Sequence, residues 1–125
     1  MTNKYHARKV IIDGYTFDSL AEGNRYTELK LLAYAGEISN LEIHPYFVLF
    51  PQKYIHGKKL NAIDYTGDFR YLDGNVNVIE EVKGMMTRDA VLRINLFQRL
   101  HPEYEFRMIR TLKVNGRAKV KRKDI

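Results

Sequence analysis

The stretch from Tyr65 to Gly84, YTGDFRYLDGNVNVIEEVKG, constrains this chain more than any other. It reads as two strands joined by a short turn, with Asp73-Gly74 as the turn signal and Asn75 just after. Side chains alternate across a strand, so Tyr65, Gly67, Phe69 and Tyr71 are expected on one face and Thr66, Asp68 and Arg70 on the other. In the second arm Val76, Val78, Glu80 and Val82 share one face, and Asn77, Ile79, Glu81 and Lys83 the other. Glu81 and Lys83 then point the same way at the end of an apolar strand. If the arms pair through the turn, Asp68 faces the same point from the neighbouring strand. A bulge would exchange Glu80 and Glu81.

Two carboxylates and an ammonium at one sheet end make a recognisable catalytic set. Hard oxygen ligands suit Mg²⁺, which binds through one or two carboxylates, retained waters and substrate phosphate. The backbone between Ile79 and Val82 is a further source of a carbonyl ligand. A lysine alongside positions or activates water, or stabilises charge on phosphorus. Two carboxylates ~4 Å apart repel by about 4 kcal/mol at an effective dielectric near 20, a cost that a metal ion or Lys83 offsets.

Upstream, Val10 to Phe17 is a hairpin signal around Asp13-Gly14. Ser19-Leu20-Ala21-Glu22 has the form of a capping box and opens a helix expected to run to about Ala35, with Gly36 ending it. Glu22 has two readings. Its carboxylate can return to the Ser19 amide as a cap, or it can border the sheet's active end. At 100° per residue Glu22 falls in the arc of Ala21, Tyr26, Leu29, Leu32 and Ala33, which favours the second reading. Arg25 flanks that arc, as a phosphate contact or as surface packing; Glu28 lies well around the helix and is expected in solvent.

Ile38 to Leu49 reads as extended, broken at His44-Pro45. His44 reads as a structural or surface histidine. A polar loop, Pro51–Lys59, carries Lys58 and Lys59 as possible phosphate contacts or a solvated turn. Beyond Gly84, Thr87 or Asp89 is expected to cap a helix to about His101, with Val91, Leu92, Asn95, Leu96, Arg99 and Leu100 as its packed stripe and Pro102 as its stop. Tyr104–Ile109 alternates as a final core strand. The order helix, three strands, helix, strand predicts an α/β sandwich with a mixed sheet.

At 125 residues the chain fits one domain, residues 1–125, with a basic arm at 1–9 and a basic tail at 111–125. No apolar run reaches membrane-spanning length and no signal peptide is visible, so no membrane partner is expected. The absence of cysteine excludes disulfides and thiolate zinc sites and fits the cytoplasm. The net charge of +6 makes nucleic acid a natural partner. Almost all of that excess lies in the tail, through Lys113, Arg117, Lys119, Lys121, Arg122 and Lys123 around a second turn signal, Asn115-Gly116. Lys4, Arg8 and Lys9 in the N-terminal arm, and Arg88 beyond the core hairpin, complete the candidate phosphate contacts.

The ordered set Asp68, Glu81 and Lys83 resembles the PD-(D/E)XK nuclease signature, with Gly67 where that signature often has proline. The chain also resembles a family of small phage and prophage proteins grouped with these nucleases. That resemblance runs over roughly residues 4–110, through KYHARKV, DGYTFDSLAE, GEISNLE and the DFRY…EEVKG core. It implies a restriction-endonuclease-like sandwich with an αβββαβ core. It also implies a Mg²⁺-dependent DNA endonuclease, with Mn²⁺ substituting, in which Asp68, Glu81 and Glu22 hold metal and Lys83 serves the attacking water. The acid from the first helix, seen in junction-resolving branches, corresponds to Glu22. Similarity to Holliday junction resolvases makes branched DNA the first expected substrate, duplex DNA the next, and a homodimer the natural assembly, in the cytoplasm of a bacterial host. The competing expectation is a non-catalytic nucleic-acid-binding phage protein that keeps only the fold.

Overall fold

The structure is a computed structural model that describes residues 8–114 and 117–124, with side chains described from 8 to 110. Strands β1 (Val10–Ile12) and β2 (Tyr15–Phe17) form the N-terminal hairpin, turning at Asp13 and Gly14, both at positive φ. Helix α1 (Leu20–Tyr34) follows. Ser19 caps it, its Oγ accepting the Glu22 N–H at 3.1 Å. Gly36 ends it in the left-handed region at φ 79°, where the Gly36 N–H bonds the Ala33 carbonyl and the Glu37 N–H the Leu32 carbonyl. Both ends therefore fall where the sequence predicts. The hairpin lies against α1 at Gly23, where a Cβ would meet Val10 Cγ2 at 2.7 Å.

Next come β3 (Ser39–Ile43), β4 (Tyr46–Phe50), β5 (Lys53–Ile55), β6 (Lys58–Leu60), β7 (Ile63–Thr66), β8 (Phe69–Asp73) and β9 (Val76–Val82). Helix α2 (Arg88–Leu100), capped by Thr87, leads to β10 (Tyr104–Val114) and β11 (Arg117–Asp124). The main sheet has the order β11-β10-β9-β8-β3; β9 and β10 are parallel and the other pairs antiparallel. The crossover through α2 accounts for the one parallel pair. The result is a mixed α/β sandwich with the expected helix, three strands, helix, strand order in its core. The C-terminal segment adds a fifth strand, pairing Val114 with Arg117 across the predicted turn; Asn115 and Gly116 themselves lie outside the described residues.

Each face of the sheet has its own apolar cluster. Tyr26 and Leu29 of α1 pack with Phe17, Phe69, Tyr71, Val78, Val82 and Ile109. Ile94 and Phe97 of α2 pack with Leu49, Tyr65, Ile79, Phe106 and Met108 on the other side. The predicted α2 stripe is corrected here: Val91, Leu92 and Leu100 are exposed, and Ile94 and Phe97 carry the packing.

Six of these strands are segments of two longer ones. β3, β4 and β5 run out along one strand of an antiparallel ribbon and β6, β7 and β8 run back, with pairing from Ile43↔Phe69 through Tyr46↔Thr66 to Ile55↔Lys58 and a one-residue shift between Val48 and Phe50. The ribbon bends where His44-Pro45 passes Gly67-Asp68. There the His44 N–H bonds the Asp68 carbonyl, the Gly67 N–H bonds the Pro45 carbonyl, and His44 takes φ 54°. This bend corrects the expectation of one unbroken strand from Tyr65 to Tyr71. Tyr65 packs on the α2 side and Phe69 and Tyr71 on the α1 side, because the chain changes sheets between them.

Candidate active site

The bend and the end of β9 enclose a cleft of about 500 Å³ lined by Asp18, Ser19, Glu22, His44, Thr66, Gly67, Asp68, Glu81, Val82, Lys83 and residues 84–86 and 90. All four residues singled out for chemistry, Glu22, Asp68, Glu81 and Lys83, meet there. Each arrives for a local reason. Glu22 sits in the first turn of α1, whose start is fixed by the Ser19 cap. Asp68 follows the ribbon bend. Continuing the Phe69↔Glu80 register by one step places Asp68 across from Glu81. Lys83 is held at the strand end by its N–H to the Ile109 carbonyl at 2.7 Å.

Backbone and side-chain bonds fix the two sheet carboxylates. Asp68 Oδ2 accepts the Val82 N–H at 2.6 Å, while the Asp68 N–H donates to the Glu80 carbonyl at 3.0 Å. Glu81 Oε1 accepts the Tyr65 hydroxyl at 2.5 Å. Glu22 Oε1 lies 3.9 Å from His44 Nε2. Gly67 stands before Asp68 in a tight place, where a Cβ would meet Ile79 Cγ2 at 3.1 Å and the Tyr65 hydroxyl at 3.3 Å.

The electrostatics follow from crowding acids in a half-enclosed space. Burial, and then the Asp68 charge, push the Glu22 carboxyl from 4.5 up to about 8. Burial, and then the Glu81 charge, hold Asp68 well above the usual carboxylate range, against the pull of the Val82 amide. Burial also raises Glu81, against the lowering hydrogen bonds from Tyr65 and Asp68. The carboxyls of Glu22 and Glu81 both lie close enough to Asp68 to act on its titration. Such contact between acids requires a proton or a cation between them.

This donor set fits a hard divalent cation held largely through water. Among the described residues no group of three His, Asp or Glu side chains is placed to ligate one ion directly. Mg²⁺ does not demand that, since one or two carboxylates with retained waters suffice. Asp68 and Glu81 are the residues that would hold it, with Glu22 completing the acidic wall.

Glu80 has a different fate. Alternation holds without a bulge, so Glu80 points to the α1 side and is fully buried. It takes two bonds from Arg25, Nε at 2.9 Å and Nη2 at 2.6 Å, and a third from the Tyr71 hydroxyl. Arg107 extends the network through Tyr71 and Asp73. Arg25, expected as a phosphate contact, is thus engaged inside the protein, and its remaining nitrogen meets Glu28 at 3.2 Å. Of the other expected phosphate contacts, Arg8, Lys9, Lys58, Lys59 and Arg88 are exposed, and Lys9 lies 4.0 Å from Asp18. Lys4 and the side chains of Lys113, Arg117, Lys119, Lys121, Arg122 and Lys123 lie outside the described residues.

Two cleft residues, His44 and Asp18, and Tyr65, which bonds Glu81 from outside the cleft lining, escaped the sequence reading. His44 and Tyr65 arrive through the bend, which no local pattern announces. Asp18 was legible only as the residue before a helix cap.

The family described as protein of unknown function DUF1064 matches residues 2–116. The chain belongs to the DUF1064 family. No curated protein matches the sequence. Among solved structures, one titled "Crystal structure of SSO0001" is similar at a TM-score of 0.46 and 13% identity, over 84% of this chain and 50% of that one. The chain therefore spans about half the length of that protein. No described helix is long and apolar enough to cross a membrane.

Proposed function

We propose that this DUF1064 chain is a divalent-metal-dependent DNA endonuclease of the PD-(D/E)XK type. The observation that carries the reading is the convergence of Asp68, Glu81 and Glu22 with Lys83 in one cleft at the end of β9. A cation bound there supplies a Lewis acid and lowers the pKa of attached water. Asp68 and Glu81 are the groups that hold it, and their acceptor geometry is fixed by Val82 and Tyr65. Lys83, at the cleft rim, orients the attacking water or stabilises the charge that develops on the phosphate oxygens. The net charge of +6 supports a polyanionic substrate. Mg²⁺ is the proposed ion, with Mn²⁺ substituting; branched DNA is the first substrate to try and duplex DNA the second. Two cuts across a junction would call for a homodimer.

The decisive experiment incubates purified protein and Mg²⁺ with matched four-way junction, flap, duplex and single-stranded substrates. Cleavage of any of these that disappears on chelation supports the reading. Binding without cleavage in either Mg²⁺ or Mn²⁺ supports the alternative, a nucleic-acid-binding protein that retains the fold. That alternative draws on the basic charge of the chain, +6 in all, which needs no acidic cleft to bind a polyanion.

A further inference from the structure

The outer half of the ribbon is built unlike the rest of the molecule. From Pro51 to Ile63 every residue is exposed, including Tyr54 and Leu60, although β5 and β6 are fully paired. A two-stranded hairpin that packs on nothing is marginal in water. Its tip is nevertheless well specified: His56 and Gly57 both take positive φ, 51° and 77°, as a tight two-residue hairpin turn requires.

Charge is the second observation. Residues 51–62 contain Lys53, Lys58 and Lys59 and no acid. The register distributes them over both faces. Tyr54 pairs with Lys59 on one face, while Lys53 pairs with Leu60 and Ile55 with Lys58 on the other. Edge lysines that only discourage strand pairing need no such arrangement, since one buried face normally accompanies them. A second copy of this arm is also disfavoured, because two acid-free arms repel.

A slender ribbon with cations on both faces matches a slot walled by anions on both sides. The major groove of duplex DNA is such a slot, about 12 Å wide and able to admit a two-stranded ribbon. We propose that residues 51–62 form an arm that enters the major groove of a DNA duplex on one side of the cleavage site, so that the substrate is recognised through a double-stranded stem. The inference rests on the reading of the cleft as a DNA-cleaving site, because the ribbon springs from the wall of that cleft at His44 and Gly67. Reach follows from length. The 11 residue-to-residue steps from Tyr46 to Gly57 span at most about 36 Å at ~3.3 Å each, or about ten base pairs.

The test compares the wild-type chain with a triple variant, Lys53→Gln, Lys58→Gln and Lys59→Gln. The melting temperature should not change, because the arm packs on nothing. DNA affinity measured against salt should show a slope smaller by about 2 to 3 in the variant, since each lost phosphate contact removes about 0.9. Wild-type cleavage of a duplex or junction stem should drop when the arm-side flank is trimmed below about ten base pairs, whereas the variant should cut long and trimmed substrates alike. Equal slopes, or equal sensitivity to trimming, would overturn the arm. So would a variant that changes self-association or binding to anionic vesicles and leaves the DNA slope alone. If the wild type binds DNA and cuts nothing while the slope still falls, the arm stands and the nuclease reading fails. A wild type that binds no DNA removes both.

Discussion

Arg25 holds Glu80 with two nitrogens, at 2.9 and 2.6 Å, inside a sheet–helix interface that excludes water from the carboxylate. The pair ties α1 to β9 one residue before Glu81, so it fixes which way the strand presents its acids. Removing one partner strands the other charge. Arg25→Ala should destabilise the fold by about 3–5 kcal/mol. Replacing both residues, as Arg25→Met with Glu80→Leu, should recover much of that loss. Chemical denaturation of the two variants checks it. A mild Arg25→Ala effect together with lost DNA affinity would return Arg25 to the phosphate-binding set.

Asp68 and Glu81 face one another one step beyond the end of the β8–β9 register. Asp68→Ala and Glu81→Ala should each abolish metal-dependent cleavage while DNA binding persists or tightens, because carboxylate–phosphate repulsion is relieved. Glu81→Ala also leaves the Tyr65 hydroxyl without its acceptor, at a cost of about 1–3 kcal/mol, so melting must be recorded beside activity. Wild-type cleavage by either variant would dismantle the proposed site.

Lys83 should matter to the chemical step more than to metal affinity. Lys83→Ala is expected to slow single-turnover cleavage at saturating Mg²⁺ on the order of 10²–10³-fold, the scale of losing one preorganised charge-stabilising group. An unchanged rate would leave Lys83 as a strand-end residue with no part in the reaction.

The sequence carried the local architecture well because its signals were local. Ser19 and Gly36 bracket α1, Asp13-Gly14 turns the first hairpin, and strict alternation separates Glu80 from Glu81. It carried the α2 face poorly. Val91, Leu92 and Leu100 fit a helical stripe on paper, but the crossover from β9 to β10 sets which side meets the sheet, and that side holds Ile94 and Phe97. The bend at His44-Pro45 and Gly67-Asp68 was half legible. Proline marked a break, yet only pairing 22 residues away, Gly67 with Pro45, shows that both strands turn together, which brings His44 to the cleft and the Tyr65 hydroxyl to Glu81. Arg25 was misjudged because its partner lies 55 residues distant.

The acidic cleft should make stability depend on pH. Glu22 titrates near 8 in the folded chain against an ordinary 4.5, and Asp68 and Glu81 are shifted upward too. The folded state therefore binds more protons than the unfolded one between those limits. Stability is fully present below about pH 4.5 as far as these groups are concerned, and it is lost as pH rises through 8. In the presence of chelator the melting temperature should fall between pH 5 and pH 8. Mg²⁺ should raise it more at pH 8 than at pH 6, because the ion replaces the protons. A melting temperature in chelator that rises over the same interval would contradict this assignment.

Glu22 separates a structural from a functional reading within one side chain. As a cap, its backbone N–H already serves Ser19 Oγ, and Glu22→Gln would keep that bond while glutamine remains acceptable at this position. Activity would then persist, and stability would change by no more than ~1 kcal/mol. As a member of the acidic wall, its carboxyl faces Asp68 and His44, and the substitution removes a charge from the cleft. Cleavage should then collapse while the fold survives. The two readings also differ in melting behaviour. Removing an acid that sits against Asp68 relieves repulsion, so Glu22→Gln without metal should melt at or above the wild type at pH 8, and the added stability from Mg²⁺ should shrink. We expect loss of cleavage, an undiminished melting temperature and a weaker response to Mg²⁺ in the same variant. Full activity with an unchanged Mg²⁺ response would assign Glu22 to the helix cap and leave Asp68, Glu81 and Lys83 as the minimal site.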